Sequence, residues 1–200
     1  MPPTKLPDVL SDSAWQQLLA ELAQLESTRP VLLVDGPSGS GKTTLATFLA
    51  KQLPLALPQW ADLQLVSLDS FYPGWQGLAA ASTMLAEDVL ATQNPGFTSW
   101  DWEANRPGTW VSISPTRPLL VEGCGALTRQ SRPLADYALW VELPETIRKE
   151  RALTRDGDTF APHWQEWLAQ EQAHWQQNRP WELADLSLPL NDVSSGCPAR

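Results

Sequence analysis

Apolar positions along the chain fall into two spacings that alternate. Residues 11–28 (SDSAWQQLLAELAQLEST) bring Trp15, Leu18, Leu19, Leu22 and Leu25 to one side at helical spacing, with Ser11 or Ser13 as N-cap. VLLVD (31–35) is short and almost wholly apolar, the pattern of a strand covered on both faces. TTLATFLAKQL (43–53) returns to helical spacing and is expected to stop at Pro54. LQLVSLD (63–69) predicts a second strand, and STMLAEDVLATQ (82–93) a helix ending before Asn94, Pro95 and Gly96. TWVSIS (109–114) alternates like a half-exposed strand, whereas LLVEG (119–123) and YALWVEL (137–143) read as buried ones. Pro144 opens a helix over PETIRKERALTRD, HWQEWLAQEQAHWQQ (163–177) predicts another, and ADLSLPL (184–190) a last strand. Strand followed by helix, repeated, means βαβ units: an α/β protein with a mainly parallel sheet between helix layers. No internal repeat or low-complexity linker interrupts the pattern, so 1–200 is expected to form one domain, with 1–29 as an N-terminal helical segment.

Charge narrows the partners. Fourteen basic residues against 23 acidic ones give −9, which repels phosphate at long range. Nucleic acid and membrane surfaces are therefore not expected partners, and an anionic ligand must be captured by a local positive site. The two cysteines, Cys124 and Cys197, lack metal-ligand spacing, which fits a reducing cytoplasm better than a disulfide framework. No apolar run approaches ~18 residues, so a soluble, intracellular protein is expected. Eleven tryptophans are present, and for most of them the plain reading is packing. His163 and His174 are read as surface histidines.

The local positive site is conspicuous. Gly36-Pro-Ser-Gly-Ser-Gly41-Lys42-Thr43 fits G-x-x-x-x-G-K-[ST], and it stands between a strand and a helix as that motif requires. Glycines at 36, 39 and 41 let backbone N–H groups turn toward a phosphate without Cβ obstruction, with Ser38, Ser40 and Thr44 completing the cradle. The helix N-terminus adds unpaired donors and a partial positive charge. Lys42 supplies the point charge for the β- and γ-phosphates, and Thr43 a hydroxyl for Mg²⁺. ATP and Mg²⁺ are the expected ligands. Two carboxylates end strands at the same sheet edge: Asp69, able to deprotonate an attacking hydroxyl or bind the metal, and Glu122, able to hold Mg²⁺ through water.

VDGPSGSGKTT, LDSFY, WDW, VEG and R-x-x-R-x-x-x-R-D, in that order from about residue 31 to 156, resemble the uridine kinase and phosphoribulokinase-like branch of P-loop kinases. The resemblance implies a three-layer α/β/α fold with a parallel sheet of about five strands and a small helical lid. It makes Asp69 the catalytic base and sets Tyr72 in the substrate site. Trp100 becomes the aromatic contact to a nucleobase, with Asp101 beside it, and Glu122 lies near the metal. Two departures fall on nucleoside recognition: GWQGLAAAS, after the DSFY segment, has no carboxylate for ribose hydroxyls, and Asn105 stands where the family places a histidine.

Arg148, Arg151 and Arg155 recur at steps of three and four and share one helical face. The plain reading pairs them with Glu145 or Glu150 in solvent. The resemblance instead brings Arg151 to the substrate and Arg155 to the phosphates, with DGDTFAPHW as a lid hinged at Gly157, the lid and following helix covering 156–180. The expected activity is transfer of the γ-phosphate of Mg-ATP to a hydroxyl of a small metabolite, by default a nucleoside such as uridine or cytidine. A nucleoside-monophosphate kinase using the arginines at 106, 117, 129 and 132, or a non-catalytic ATP-binding regulator, are the alternatives. A homo-oligomer is compatible with the sequence.

Overall fold

The computed structural model describes residues 5–189. Helix α1 (Asp12–Ala23) is capped by Ser11, whose Oγ accepts from the Ala14 N–H at 3.1 Å. Strand β1 (Val31–Asp35) is buried along its whole length and feeds the glycine loop into α2 (Lys42–Ala56). This helix runs through Pro54 instead of stopping there. The proline lies in the final turn, where it forfeits only its own donor, and the Leu57 N–H still closes onto the Leu53 carbonyl at 2.9 Å.

Strand β2 (Gln64–Ser67) ends two residues before the sequence pattern predicts, because Leu68–Ser70 coil into a 3₁₀ turn. Helix α3 (Leu78–Met84) begins earlier than expected and then widens into a π-turn over Leu85–Val89. The wider turn is closed by Leu90 N–H on Leu85 O at 2.9 Å, and it keeps Leu85, Val89 and Leu90 all in the core.

Strands β3 (Gly96–Asp101) and β4 (Arg106–Ser112) pair with each other in an antiparallel hairpin outside the main sheet. Thr109–Ser112 of the TWVSIS segment therefore belong to this hairpin and are exposed, and its partner strand, which carries Trp100 and Asp101 and leaves Trp102 in the turn, was not legible as a strand.

The remaining elements are β5 (Leu119–Glu122), β6 (Tyr137–Glu142), α4 (Glu145–Phe160), α5 (Trp164–Asn178), the short α6 (Pro180–Leu183) and β7 (Leu186–Pro189). The main sheet has five parallel strands in the order β2-β5-β1-β6-β7. Leu32 and Val34 of β1 pack with Leu45, Leu49 and Leu53 of α2 and Leu18 and Leu22 of α1. Val31 and Leu33 face the other way, into a layer with Leu78, Ala81, Trp164 and Trp167 from α3 and α5. Alternate residues of one strand thus feed two cores, which makes the three-layer α/β/α sandwich. Register then sets the site: Glu122 lies opposite Val34 on one side and Ser67 on the other, so the carboxyl ends of β1, β2 and β5 open at one edge.

The DGDTFAPHW segment is helical. Helix α4 continues to Phe160, bent at Gly157 (φ 52°, ψ −132°), and a 3₁₀ turn over Ala161–His163 leads into α5. Cys197 and Leu190 lie outside the described residues.

Candidate active site

The glycine loop wraps the edge above β1, and its geometry is fixed from below. Asp35, buried at the end of β1, accepts from the N–H groups of Gly36 (2.6 Å), Gly125 (3.1 Å) and Leu127 (2.8 Å). Gly39 has φ 79°, and a Cβ there would run into the backbone carbonyl of Arg148, so only glycine lets α4 approach the loop this closely. Lys42 opens α2 and is itself buried. Burial, the largest influence, opposes its charge, but Cys124, Glu122, Asp69 and Glu171 around it outweigh that and hold the ammonium above its ordinary range.

Beside Lys42, Thr43 donates its hydroxyl to Glu122 Oε2 at 3.1 Å, while Ser67 donates to Oε1 at 2.6 Å. Burial pushes the Glu122 carboxyl up, and Lys42 and the two hydroxyls partly offset it. A threonine hydroxyl and a carboxylate side by side are the hard oxygen donors that suit Mg²⁺. Ser67 was missed in the sequence, since a serine at a strand end carries no signal until register sets it against Glu122.

Asp69 is exposed on the 3₁₀ turn after β2, and it borders a cavity of about 500 Å³. Ser38 of the glycine loop, Tyr72, Trp75, Trp102, Arg155 and Phe160 line the same space. Tyr72 is buried, donates to the Cys124 carbonyl at 2.8 Å and meets Trp167 edge-on at 4.9 Å. Trp75 stacks on His163 at 4.3 Å with rings 8° from parallel. Trp102 lies 5.0 Å from Trp75 and donates its indole N–H to the Asp69 carbonyl at 2.8 Å, tying the hairpin to the turn that carries the carboxylate.

Trp100 is half-buried on β3 opposite Pro107 and does not line this cavity. Asp101 accepts from the Ala104 N–H at 2.9 Å, closing the hairpin turn, in which Asn105 adopts a left-handed conformation. Within the W-D-W segment it is the second tryptophan that reaches the cavity. Trp100 lies on β3 and Trp102 in the turn that follows it, a boundary that the sequence pattern did not show.

The three arginines of α4 part company. Arg155 lines the cavity. Arg151 stands near Asp8 at 3.8 Å, 39% exposed. Arg148 is buried, lies over the rings of Trp164 (5.4 Å) and Trp175 (5.6 Å), and pairs with Glu171 of α5 at 3.1 Å instead of with Glu145 or Glu150. His174 is also buried, contrary to the surface reading, with Nε2 3.3 Å from Asp35 and Nδ1 3.0 Å from Asn178. Cys124 is a buried free thiol whose burial pushes it up to about 12.

Of the four loose arginines, Arg132 pairs with Asp185 at 2.8 Å, and Arg117 and Arg129 bond to backbone carbonyls of Asp62 and Gln177. Three of the four are thus committed to structure and do not converge on the site. Among the described residues, no helix is long and apolar enough to cross a membrane.

No protein-family profile matches the chain, and no curated sequence matches it. Solved structures do. One is a protein assigned as a uridine kinase from Bacillus stearothermophilus, 19% identical, with a TM-score of 0.57 over 86% of this chain and 96% of that one. Another, assigned as a fructose transport system kinase from Silicibacter sp. TM1040, is 20% identical, with a TM-score of 0.56 over 92% of this chain and all of the other. The chain therefore shares the α/β fold of these two structures, with its glycine loop at the carboxyl end of the central strand.

Proposed function

We propose that the protein is an ATP-dependent phosphotransferase of the uridine kinase-like branch, moving the γ-phosphate of Mg-ATP to a hydroxyl on a small, ring-bearing metabolite. One observation carries the reading: Ser38 of the glycine loop and the Asp69 carboxylate border the same aromatic cavity. The acceptor and the transferring phosphate can therefore meet within one space.

Asp69 takes the proton from the acceptor hydroxyl as its oxygen bonds to the γ-phosphorus, and the bond to the bridging oxygen of ADP breaks. Lys42 and the N-terminus of α2 compensate the charge that develops on the phosphate oxygens. Thr43 and Glu122 would hold Mg²⁺, which supplies charge neutralisation between the phosphates. Arg155, on the cavity wall, adds positive charge from α4. Trp75, Trp102 and Phe160 make the cavity wall aromatic, which suits a ring in the acceptor and makes a nucleoside the first candidate. Among the described residues, Asp69 is the one carboxylate that lines the cavity. Among the described residues, Arg155 is the one arginine that lines the cavity.

A metabolite panel containing nucleosides, ketohexoses and aromatic alcohols, scored for ADP release with Mg-ATP, identifies the acceptor. On the best acceptor, Asp69→Asn should leave ATP affinity within a few-fold and remove nearly all turnover, since an amide holds position but takes no proton. ATP binding and turnover falling together would make Asp69 a metal or folding residue.

A further inference from the structure

Helix α5 reaches beneath the glycine loop with a face that nothing in the proposed chemistry uses. Glu171 is 1% exposed and, among the described residues, makes three polar contacts. Its Oε1 accepts from the Ser38 N–H at 2.6 Å and from the Cys124 thiol at 3.4 Å, and its Oε2 accepts from Arg148 at 3.1 Å. A pair serving only to join α4 to α5 would be complete with Arg148. The short bond to a backbone amide of the phosphate loop goes beyond that.

Ser38 lies at the end of the loop that borders the acceptor cavity. Its neighbours are tethered as well: Gly36 N–H to Asp35, and Ser40 N–H to the Pro37 carbonyl at 3.1 Å. These bonds hold the first half of the loop on protein acceptors, which leaves phosphate binding to the glycine-41 end and the start of α2. The residue before Glu171 grips the other side of the cavity. Gln170 donates to the Trp75 carbonyl at 2.7 Å and accepts from the Leu78 N–H at 3.3 Å. Successive residues of α5 thus hold the phosphate loop and the aromatic wall.

We propose that Glu171 is a positioning residue for the phosphate loop: its carboxylate, held by Arg148, orients the Ser38 amide away from the phosphate and fixes the loop against the acceptor cavity. This rests on the reading of residues 36–43 as a nucleotide loop. It predicts that an acceptor oxygen at position 171, not the ion pair as such, sets loop geometry.

Two double variants isolate that oxygen. Arg148→Met/Glu171→Met and Arg148→Met/Glu171→Gln both remove the buried charges, which avoids stranding either one, and they differ in whether position 171 can accept from Ser38. Amide exchange at Ser38 by nuclear magnetic resonance and Mg-ATP affinity by calorimetry are read on both and on the wild type. In the Met/Met chain, exchange should be at least about tenfold faster and affinity about tenfold weaker, the size of one lost buried hydrogen bond. The Met/Gln chain should recover at least half of each loss on a logarithmic scale.

Equal exchange at Ser38 in the two double variants overturns the proposal. Glu171→Gln with Arg148 retained gives the same reading if a double variant does not fold: Ser38 protection lost despite the retained oxygen also overturns it. A wild-type protein that binds no Mg-ATP would sink the nucleotide reading, while the exchange comparison would still decide the role of Glu171.

Discussion

Arg148→Ala should destabilise the protein far more than any other change on the exposed-looking arginine row of α4. The substitution removes a guanidinium that is 3% exposed and leaves Glu171, 1% exposed, without its cationic partner. Breaking a buried pair from one side costs about 3–5 kcal/mol, because the remaining charge stays desolvated. Loss of the contacts with the Trp164 and Trp175 rings acts in the same direction. For a chain of this length each kcal/mol lowers Tm by about 2–4 °C, so the drop should be about 6–20 °C. Thermal unfolding followed by circular dichroism measures it, with Arg151→Ala as the control on the same helix. Arg151 is 39% exposed and 3.8 Å from an exposed Asp8, an arrangement whose loss changes stability by less than about 1 kcal/mol. A Tm for Arg148→Ala within about 2 °C of the Arg151→Ala value would refute the reasoning.

Arg155→Ala should lower kcat strongly, with ATP binding in the absence of acceptor close to wild type. Lysine there should rescue only in part, for want of a planar fork, and an unchanged kcat removes Arg155 from the chemistry. Trp102→Ala should raise the acceptor KM by the equivalent of roughly 1–3 kcal/mol if a ring stacks on it, whereas Trp100→Ala, outside the cavity, should change it little; the opposite ranking in steady-state kinetics would return the base contact to Trp100.

Glu122 gives a pH signature. Its carboxyl is raised in the folded protein, chiefly by burial, so the unfolded chain releases the proton first as pH rises. Stability contributed by this group is therefore present at low pH and declines as pH rises through the window between the ordinary and the raised value. Urea midpoints against pH should show that decline in the wild type and not in Glu122→Gln, and Mg-ATP affinity should increase over the same window as the carboxylate ionises. Parallel stability curves for the two proteins would contradict this.

What the sequence by itself determined is the local chemistry and the layer order. VLLVD, LLVEG and YALWVEL are too apolar to be anything but doubly covered strands, and the helices between them require a parallel sheet. Gly36 to Thr43 reads as a phosphate loop because the motif lies in consecutive residues whose backbone must be free to turn. Tertiary structure alone decided the rest, since it depends on which strand lies beside which and how deeply a helix face sinks. Ser67 gained its meaning only when β2 and β5 came into register at Glu122. Trp102, and not Trp100, reached the cavity because the hairpin leaves the main sheet and folds back to the Asp69 turn. Arg148 and His174 read as surface residues because charge and polarity ordinarily avoid the core. Their partners, Glu171 and Asp35, lie 23 and 139 positions away along the chain, and such long-range pairing, which is what makes a buried charge tolerable, leaves no periodic trace in sequence.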